Sequence, residues 1–330
     1  MRAGDARLVL ITGGAGFVGA SLVRALEARG ERVRVVDWGS SAGFRYLDGT
    51  AAELIEGDLL DPSVVSRAVQ GVDAVFHLAA RTSVPASMKA PLEDLEQNVL
   101  GTVRLLDAVR GAGASRFVFA SSNAAVGLME PPAREDAFPR PVAPYGAAKL
   151  AAEGYLHAYW QSYGLVTVGL RFSNAYGPYA LHKISVVAAF LKAYLAGKPI
   201  TIYGDGSQTR DFVHVDDLVD LLLRALDAPA EQVAGELFQA GTGRETTVLE
   251  LAETLLRVGG REGRIEHLPP RHGDVARNFS DVGKARERLG YEPRVELDEG
   301  LRRTVEWFDG ALADPRFADL REARVTSGSD

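Results

Sequence analysis

The chain has 330 residues, 46% of them hydrophobic and 25% charged, with a formal net charge of −7 and no cysteine. That length and apolar content suffice for one large α/β unit with a smaller lobe, and they exclude a disordered or fibrous chain. The acidic balance argues against a nucleic-acid or acidic-membrane surface, and the absence of thiols excludes disulfides, thiolate catalysis and cysteine-held metal.

From Met1 the sequence passes almost directly into a strand at Arg7–Thr12, with no apolar leader before it. No apolar run reaches membrane-spanning length, so a soluble, cytoplasmic protein is expected. Further strands are expected at Arg32–Asp37, Ala74–Leu78, Phe117–Ser121 and Val166–Arg171. Between them, apolar residues three and four apart indicate helices at about Val18–Arg29, Pro91–Gly111 and Tyr145–Tyr163. The alternation of β-branched runs with amphipathic stretches is the mark of βαβ units, and it points to an α/β, doubly wound parallel sheet of Rossmann type.

After Arg171 the rhythm changes. Turn formers fill Phe172–Lys183, a helix is expected at about Ile184–Ala196, and Thr201–Phe212 contains Gly204-Asp205-Gly206. Helices follow near Val215–Leu226, Thr247–Gly259 and Asp281–Leu289. A dinucleotide-binding domain is thus expected over 1–172 and a smaller mixed α/β substrate lobe over 173–330, with part of 211–242, including a strand at Glu236–Ala240, returning to the first. Thr326–Asp330 reads as a loose tail.

The turn Thr12-Gly13-Gly14-Ala15-Gly16-Phe17-Val18-Gly19 follows a strand and opens a helix. Absent side chains at Gly13, Gly16 and Gly19 let backbone approach a pyrophosphate at the positive end of the helix. A tight strand-to-helix connection is the plain alternative. Asp37 favours the cofactor reading, because it ends the second strand about twenty residues on, where a carboxylate accepts from the adenosine ribose. An acid there also repels a 2′-phosphate, which selects NAD over NADP. Asp58 and Leu59 fall at the next strand end, near the adenine, and Leu78, Ala79 and Ala80 close the following strand with residues suited to close cofactor approach. His77 reads as a packed or hydrogen-bonded histidine rather than a catalyst, and the six histidines show no metal-ligand spacing.

Tyr145 and Lys149 stand four apart on an expected helix and share a face. A nearby ammonium favours the phenolate and lowers a pKa that starts near 10, so such a tyrosine can act as a general base. Ser122, at the end of the fifth strand, adds a hydroxyl able to bridge substrate and Tyr145.

With these parts in order, the chain resembles the extended short-chain dehydrogenase/reductase family, specifically its nucleotide-sugar epimerases. The likeness runs from Thr12 to about residue 308 and includes Arg171-Phe172-Ser173-Asn174-Ala175-Tyr176-Gly177-Pro178, Tyr203-Gly204-Asp205-Gly206-Ser207-Gln208-Thr209-Arg210-Asp211-Phe212 and Arg271-His272-Gly273-Asp274. It implies NAD as cofactor, with Asn98 and the Tyr145–Lys149 pair beside it. It also implies that Asn174 and Arg210 contact a nucleoside diphosphate, that Arg271 binds its phosphates and Asp274 a ribose hydroxyl, and that Thr82, Ser122 and Asn278 face the sugar. Guanidinium groups suit a diphosphate, although a surface ion pair is the plain reading of either arginine alone.

Relatives that dehydrate or decarboxylate sugars carry an acid one or two positions after the catalytic serine or threonine, where this chain has Asn123 and Ala124. The acids Glu130, Glu135 and Asp136 lie farther on, in a proline-rich loop. The resemblance therefore implies a UDP-sugar 4-epimerase, most simply of UDP-glucose and UDP-galactose. UDP-glucuronate stays open through Arg81, Lys183 or Arg277, and UDP-N-acetylglucosamine through the smaller Asn278; a solvated Lys183 is an equal reading. A dehydratase or reductase is the other enzymatic alternative, and an NAD-sensing binding protein the non-enzymatic one. A homodimer through helices Pro91–Gly111 and Tyr145–Tyr163 is also implied.

Overall fold

In the computed structural model the structure describes residues 6–39, 42–270 and 275–322; the expected tail lies outside them. The central sheet takes β1 (Leu8–Thr12), β2 (Arg32–Asp37), β3 (Glu53–Glu56), β4 (Ala74–His77), β5 (Arg116–Ser122), β6 (Val166–Phe172) and, from far downstream, β11 (Glu236–Ala240). These seven strands lie in the order β11-β6-β5-β4-β1-β2-β3, every pairing parallel. The order reverses between β1 and β4, which opens a crevice beyond their carboxyl ends, the place where such sheets receive ligands.

Side chains alternate across each strand, so neighbouring residues enter opposite cores. Leu8 and Leu10 of β1, with Phe117 and Phe119 of β5, enter one apolar cluster, whereas Val9, Ile11 and Val118 enter the other. Helices α1 (Phe17–Ala28) and, much later, α8 (Val215–Asp227) cover one face; α2 (Pro62–Ala68), α5 (Gly101–Ala112) and α6 (Pro144–Tyr163) cover the other. Burial on both faces is what a parallel sheet requires.

The expected single helix Pro91–Gly111 is divided. After α3 (Val84–Lys89) and α4 (Pro91–Leu95), a π-helical turn spans Glu96–Leu100 before α5 resumes the regular pitch. The wide turn has its cause in a contact across the preceding loop. The Asn98 side chain is drawn out to the Arg81 backbone, accepting from its N–H at 2.9 Å and donating to its carbonyl at 3.0 Å, and the Thr102 hydroxyl takes the Asn98 carbonyl at 2.7 Å.

Beyond β6 the chain makes three small two-stranded pairings. β7 (Asn174–Tyr176) pairs with β10 (Phe212–His214), β8 (Ile200–Tyr203) with β13 (Ile265–Leu268), and β9 (Thr209–Arg210) with β12 (Thr246–Thr247). Helix α7 (Val186–Leu195) and a long helix at Leu297–Ala313 pack beside them. Helix α2 and the Leu297–Ala313 helix are additions to the elements expected from the sequence. Among the described residues, no helix is long and apolar enough to cross a membrane.

Candidate active site

The glycine turn is fitted to its surroundings on both sides. Gly13 has φ +72°, and a Cβ there would stand 2.6 Å from the Ala79 amide nitrogen, so the turn lies directly on the chain leaving β4. A Cβ on Gly19 would stand 2.6 Å from Gly14 Cα and closer still to the Gly13 carbonyl. Gly16 is the extended N-cap of α1, and no side chain caps that helix end. Asp37, buried at the end of β2, accepts from the Ala15 amide at 3.1 Å and so stands beside the turn. Phe17 is buried and Val18 half-buried in the first turn of α1, and half-buried Leu78, Ala79 and Ala80 continue from β4 along the same edge. A helix N-terminus without a side-chain cap, glycine backbone and an adjacent carboxylate make a cradle that fits a dinucleotide.

Two other expected cofactor residues are held by local bonds. Asp58 accepts from the Leu60 amide at 2.8 Å and from Gln97 at 3.0 Å, next to buried Leu59. Asn98 keeps the 81 loop in place from the π turn and donates to Asp94 at 3.0 Å. His77 bonds Thr12 at 2.6 Å and Thr102 at 2.9 Å, and burial, then the charge of Lys149, push its pKa down to about 3. It is a neutral, hydrogen-bonded core residue, as its sequence context indicates.

Ser122 ends β5 and accepts from the Ala124 amide at 3.2 Å, and its hydroxyl stands near that of Tyr145. Tyr145 stands in the first turn of α6 and Lys149 one turn on, both buried. Here one expectation needs correction. The Tyr145 pKa is not lowered: burial pushes it up to about 12, against the pull of the Ser122 hydroxyl, and Asp94 adds to the rise. The Lys149 ammonium is engaged by β5, donating to the Ala120 carbonyl at 2.7 Å and lying 4.5 Å from the Phe119 ring centre. Burial also brings Lys149 down to about 7, opposed by Glu153 and Asp94. The state described is proton-loaded, with a neutral phenol able to give its proton to a carbonyl oxygen.

Four groups around this pair went unassigned in the sequence. Glu153, one further turn along α6, accepts from Ser121 of β5 at 2.6 Å and from Arg171 of β6 at 2.9 and 2.8 Å. Asp94 of α4 is buried, with Oδ2 lacking any hydrogen-bond partner. The Tyr145, Lys149, Glu153 spacing was the available signal, since residues four apart share a helix face.

The Asn123 amide is directed to Ser173 at 3.2 Å and Ser280 at 2.9 Å. Of the acids in the following loop, Glu135 accepts from the Gln239 amide at 2.7 Å, Asp136 pairs with Arg134 at 3.1 Å, and Glu130 is exposed.

On the lobe side, Arg210 donates to the carbonyls of Thr209 and Val275 at 2.7 and 2.6 Å, and the Asn278 amide reaches the Thr209 carbonyl at 3.2 Å. Arg210 and Asn278 are thereby brought together. Buried Asp211 anchors this segment through Thr242, Gly243 and Ser280. Asn174 is exposed at the start of β7. Arg271 and Asp274 lie outside the described residues. Lys183, half-buried, donates to Thr82 at 3.3 Å, which replaces the solvated reading of that lysine. Arg81 pairs with Glu93 at 2.6 Å, and Arg277 holds Glu245 through two bonds of 2.7 Å, bringing that carboxyl down to about 2.

A family model described as NAD dependent epimerase/dehydratase family matches residues 9–241. The chain is 40% identical over 308 residues to a UDP-glucose 4-epimerase of Mycolicibacterium smegmatis, covering 91% of this chain and 97% of that protein. A crystal structure of UDP-glucose 4-epimerase from Thermotoga maritima with UDP-glucose is 38% identical, with TM-score 0.86 over 92% of this chain and 99% of that one. A UDP-glucuronic acid 4-epimerase from Bacillus cereus, with UDP-glucuronic acid and NAD, is 28% identical, with TM-score 0.84 over 92% and 99%.

Proposed function

The chain belongs to the NAD dependent epimerase/dehydratase family, as an NAD-dependent isomerase, and on that premise we propose that it inverts C4 of a UDP-sugar, most simply interconverting UDP-glucose and UDP-galactose. The observation that carries this reading is the convergence of Ser122 at the end of β5 with buried Tyr145 and Lys149 of α6, the ammonium docked on β5, with no acid at Asn123 or Ala124. Elimination of water needs a second acid or base at the sugar, whereas inversion at C4 needs one proton carrier.

The glycine turn at the start of α1 and Asp37 would hold NAD, which would supply a hydride acceptor and donor for C4 of the sugar. Tyr145, in the phenolate form, takes the proton of the 4-hydroxyl and, as the resulting neutral phenol, restores it to the keto oxygen, while Ser122 orients that oxygen. Lys149 favours the phenolate when charged. Arg210 and Asn174 hold the diphosphate side, so that the 4-keto sugar can turn over without leaving the pocket.

Purified protein incubated with UDP-glucose, with no cofactor added, is expected to produce galacto-configured signals in proton NMR. A sugar left unchanged there, and with UDP-N-acetylglucosamine and UDP-glucuronate, overturns the proposal. A uronate substrate is the second reading, favoured by the Lys183 ammonium beside Thr82 on the expected sugar side.

A cytoplasmic homodimer belongs to the same proposal. Met88, Leu92 at 76% exposure and Leu95 form an apolar stretch on α3 and α4, and Tyr155 and Tyr163 extend from α6. Such a patch suits a self-complementary interface. Leu92→Glu should convert the protein to a monomer in light scattering; a wild-type monomer would refute the dimer.

A further inference from the structure

We infer that Glu153 is a positioning residue of the reaction, holding the Lys149 ammonium charged and docked one turn behind Tyr145. The inference rests on the proposed role of the Tyr145–Lys149 pair.

The geometry is that of a clamp on one strand. Lys149 and Glu153 are successive turns of α6, both nearly free of solvent at 3% and 4% exposure. The ammonium docks on the Ala120 carbonyl of β5 at 2.7 Å, and the carboxylate docks on the next residue, taking the Ser121 hydroxyl at 2.6 Å. The following residue is Ser122. Arg171 closes the arrangement from β6 with its two bonds to Glu153, itself 3% exposed. Thus α6, β5 and β6 meet at one carboxylate, which stands one helical turn from Lys149 and is paired with Arg171.

A lysine so deeply placed sheds its proton unless negative charge stands by it. The groups around Lys149 are Glu153 on its own helix, Asp94 from α4, the neutral His77 from β4, and the Phe119 ring and Ala120 carbonyl of β5. Glu153 and Asp94 both support the charged form. Three donors fix Glu153, whereas Asp94 has Asn98 on one oxygen and no partner on the other. The rival explanation is a purely structural buried ion pair. It predicts a Glu153→Gln enzyme that is slower by the same factor at every pH.

The test uses the NAD-loaded enzyme with Lys Cε carbon-13 labelled, Lys149 being identified by its missing signal in Lys149→Met. In Glu153→Gln the Lys149 titration midpoint and the alkaline limb of kcat should both move down by about one pH unit. Glu153→Asp, which keeps the charge, should bring both back toward wild type. If Glu153→Gln does not fold, Glu153→Gln/Arg171→Gln removes both charges of the pair and should still lower the midpoint, by less. A midpoint that stays in place overturns the inference. Absence of turnover by the wild type on any UDP-sugar overturns the proposed function instead, and the midpoint alone then decides whether Glu153 sets the charge of Lys149.

Discussion

Tyr145→Phe should purify folded and loaded with NAD, yet interconvert UDP-sugars about 10³-fold more slowly than wild type. The ring is buried, and phenylalanine keeps its shape, so the packing of α6 against β5 and the Asn123–Ala125 turn should survive. What disappears is one hydroxyl near Ser122, and at most one hydrogen bond with it, while Ser122 keeps the Ala124 amide. Losing one such hydrogen bond costs only about 1 kcal/mol of stability. Turnover is affected far more, since the proposed proton carrier is gone. Turnover by NMR, bound NAD by absorbance and the melting temperature check the three parts separately. An unchanged rate would overturn the role of Tyr145 as the proton carrier.

Gly19→Ala should produce the opposite phenotype, an enzyme that loses its cofactor. The added Cβ would lie 2.6 Å from Gly14 Cα, and the three nearest atoms it meets are all backbone. No rotamer relieves such a clash, so the first turn of α1 must move off the glycine loop. Overpacking of this kind costs about 1–3 kcal/mol, and the displacement falls on the surface proposed to take the pyrophosphate. A lower melting temperature and NAD affinity reduced at least about tenfold are expected, the latter following from about 1.4 kcal/mol of lost binding. Gly30→Ala is the control. Gly30 also turns a corner, at φ +78°, but a Cβ there meets nothing within 4 Å. It should cost about 1–2 kcal/mol of strain and leave NAD affinity unchanged. Equal affinities in both variants would sink the account of the cradle.

The parts of the fold legible in the sequence are those whose cause is local. The apolar run of β1, the glycines after it and Asp37 at the end of β2 follow from strand burial and the turn they must make. Helix α2 was also legible, through Asp61 as N-cap and Pro62 in the first turn. So was the Leu297–Ala313 helix, through Leu301, Val305 and Phe308 on one face. Both lie outside the β-branched rhythm that marks the strands. The π turn could not be read, since it depends on Asn98 finding the Arg81 backbone across a loop. Likewise, the sign of the Tyr145 shift was out of reach. An ammonium four residues away argues for a lowered pKa, but the depth of burial is a tertiary property, and it decides the direction.

The place of β11 in the sheet has a consequence for the chain as it leaves the ribosome. β6 is flanked by β5 on one side, but its other side waits for Glu236–Ala240. At about 5–20 residues per second, that wait lasts on the order of several seconds. Throughout it the nascent protein presents an apolar strand, with Val168 and Leu170 destined for complete burial and its outer amides unpaired. The hydroxyl pair at Ser122 and Tyr145 sits one strand away from this open edge. Synthesis of this enzyme therefore passes through an adhesive interval, during which a neighbouring copy can supply the strand that its own chain has not yet delivered.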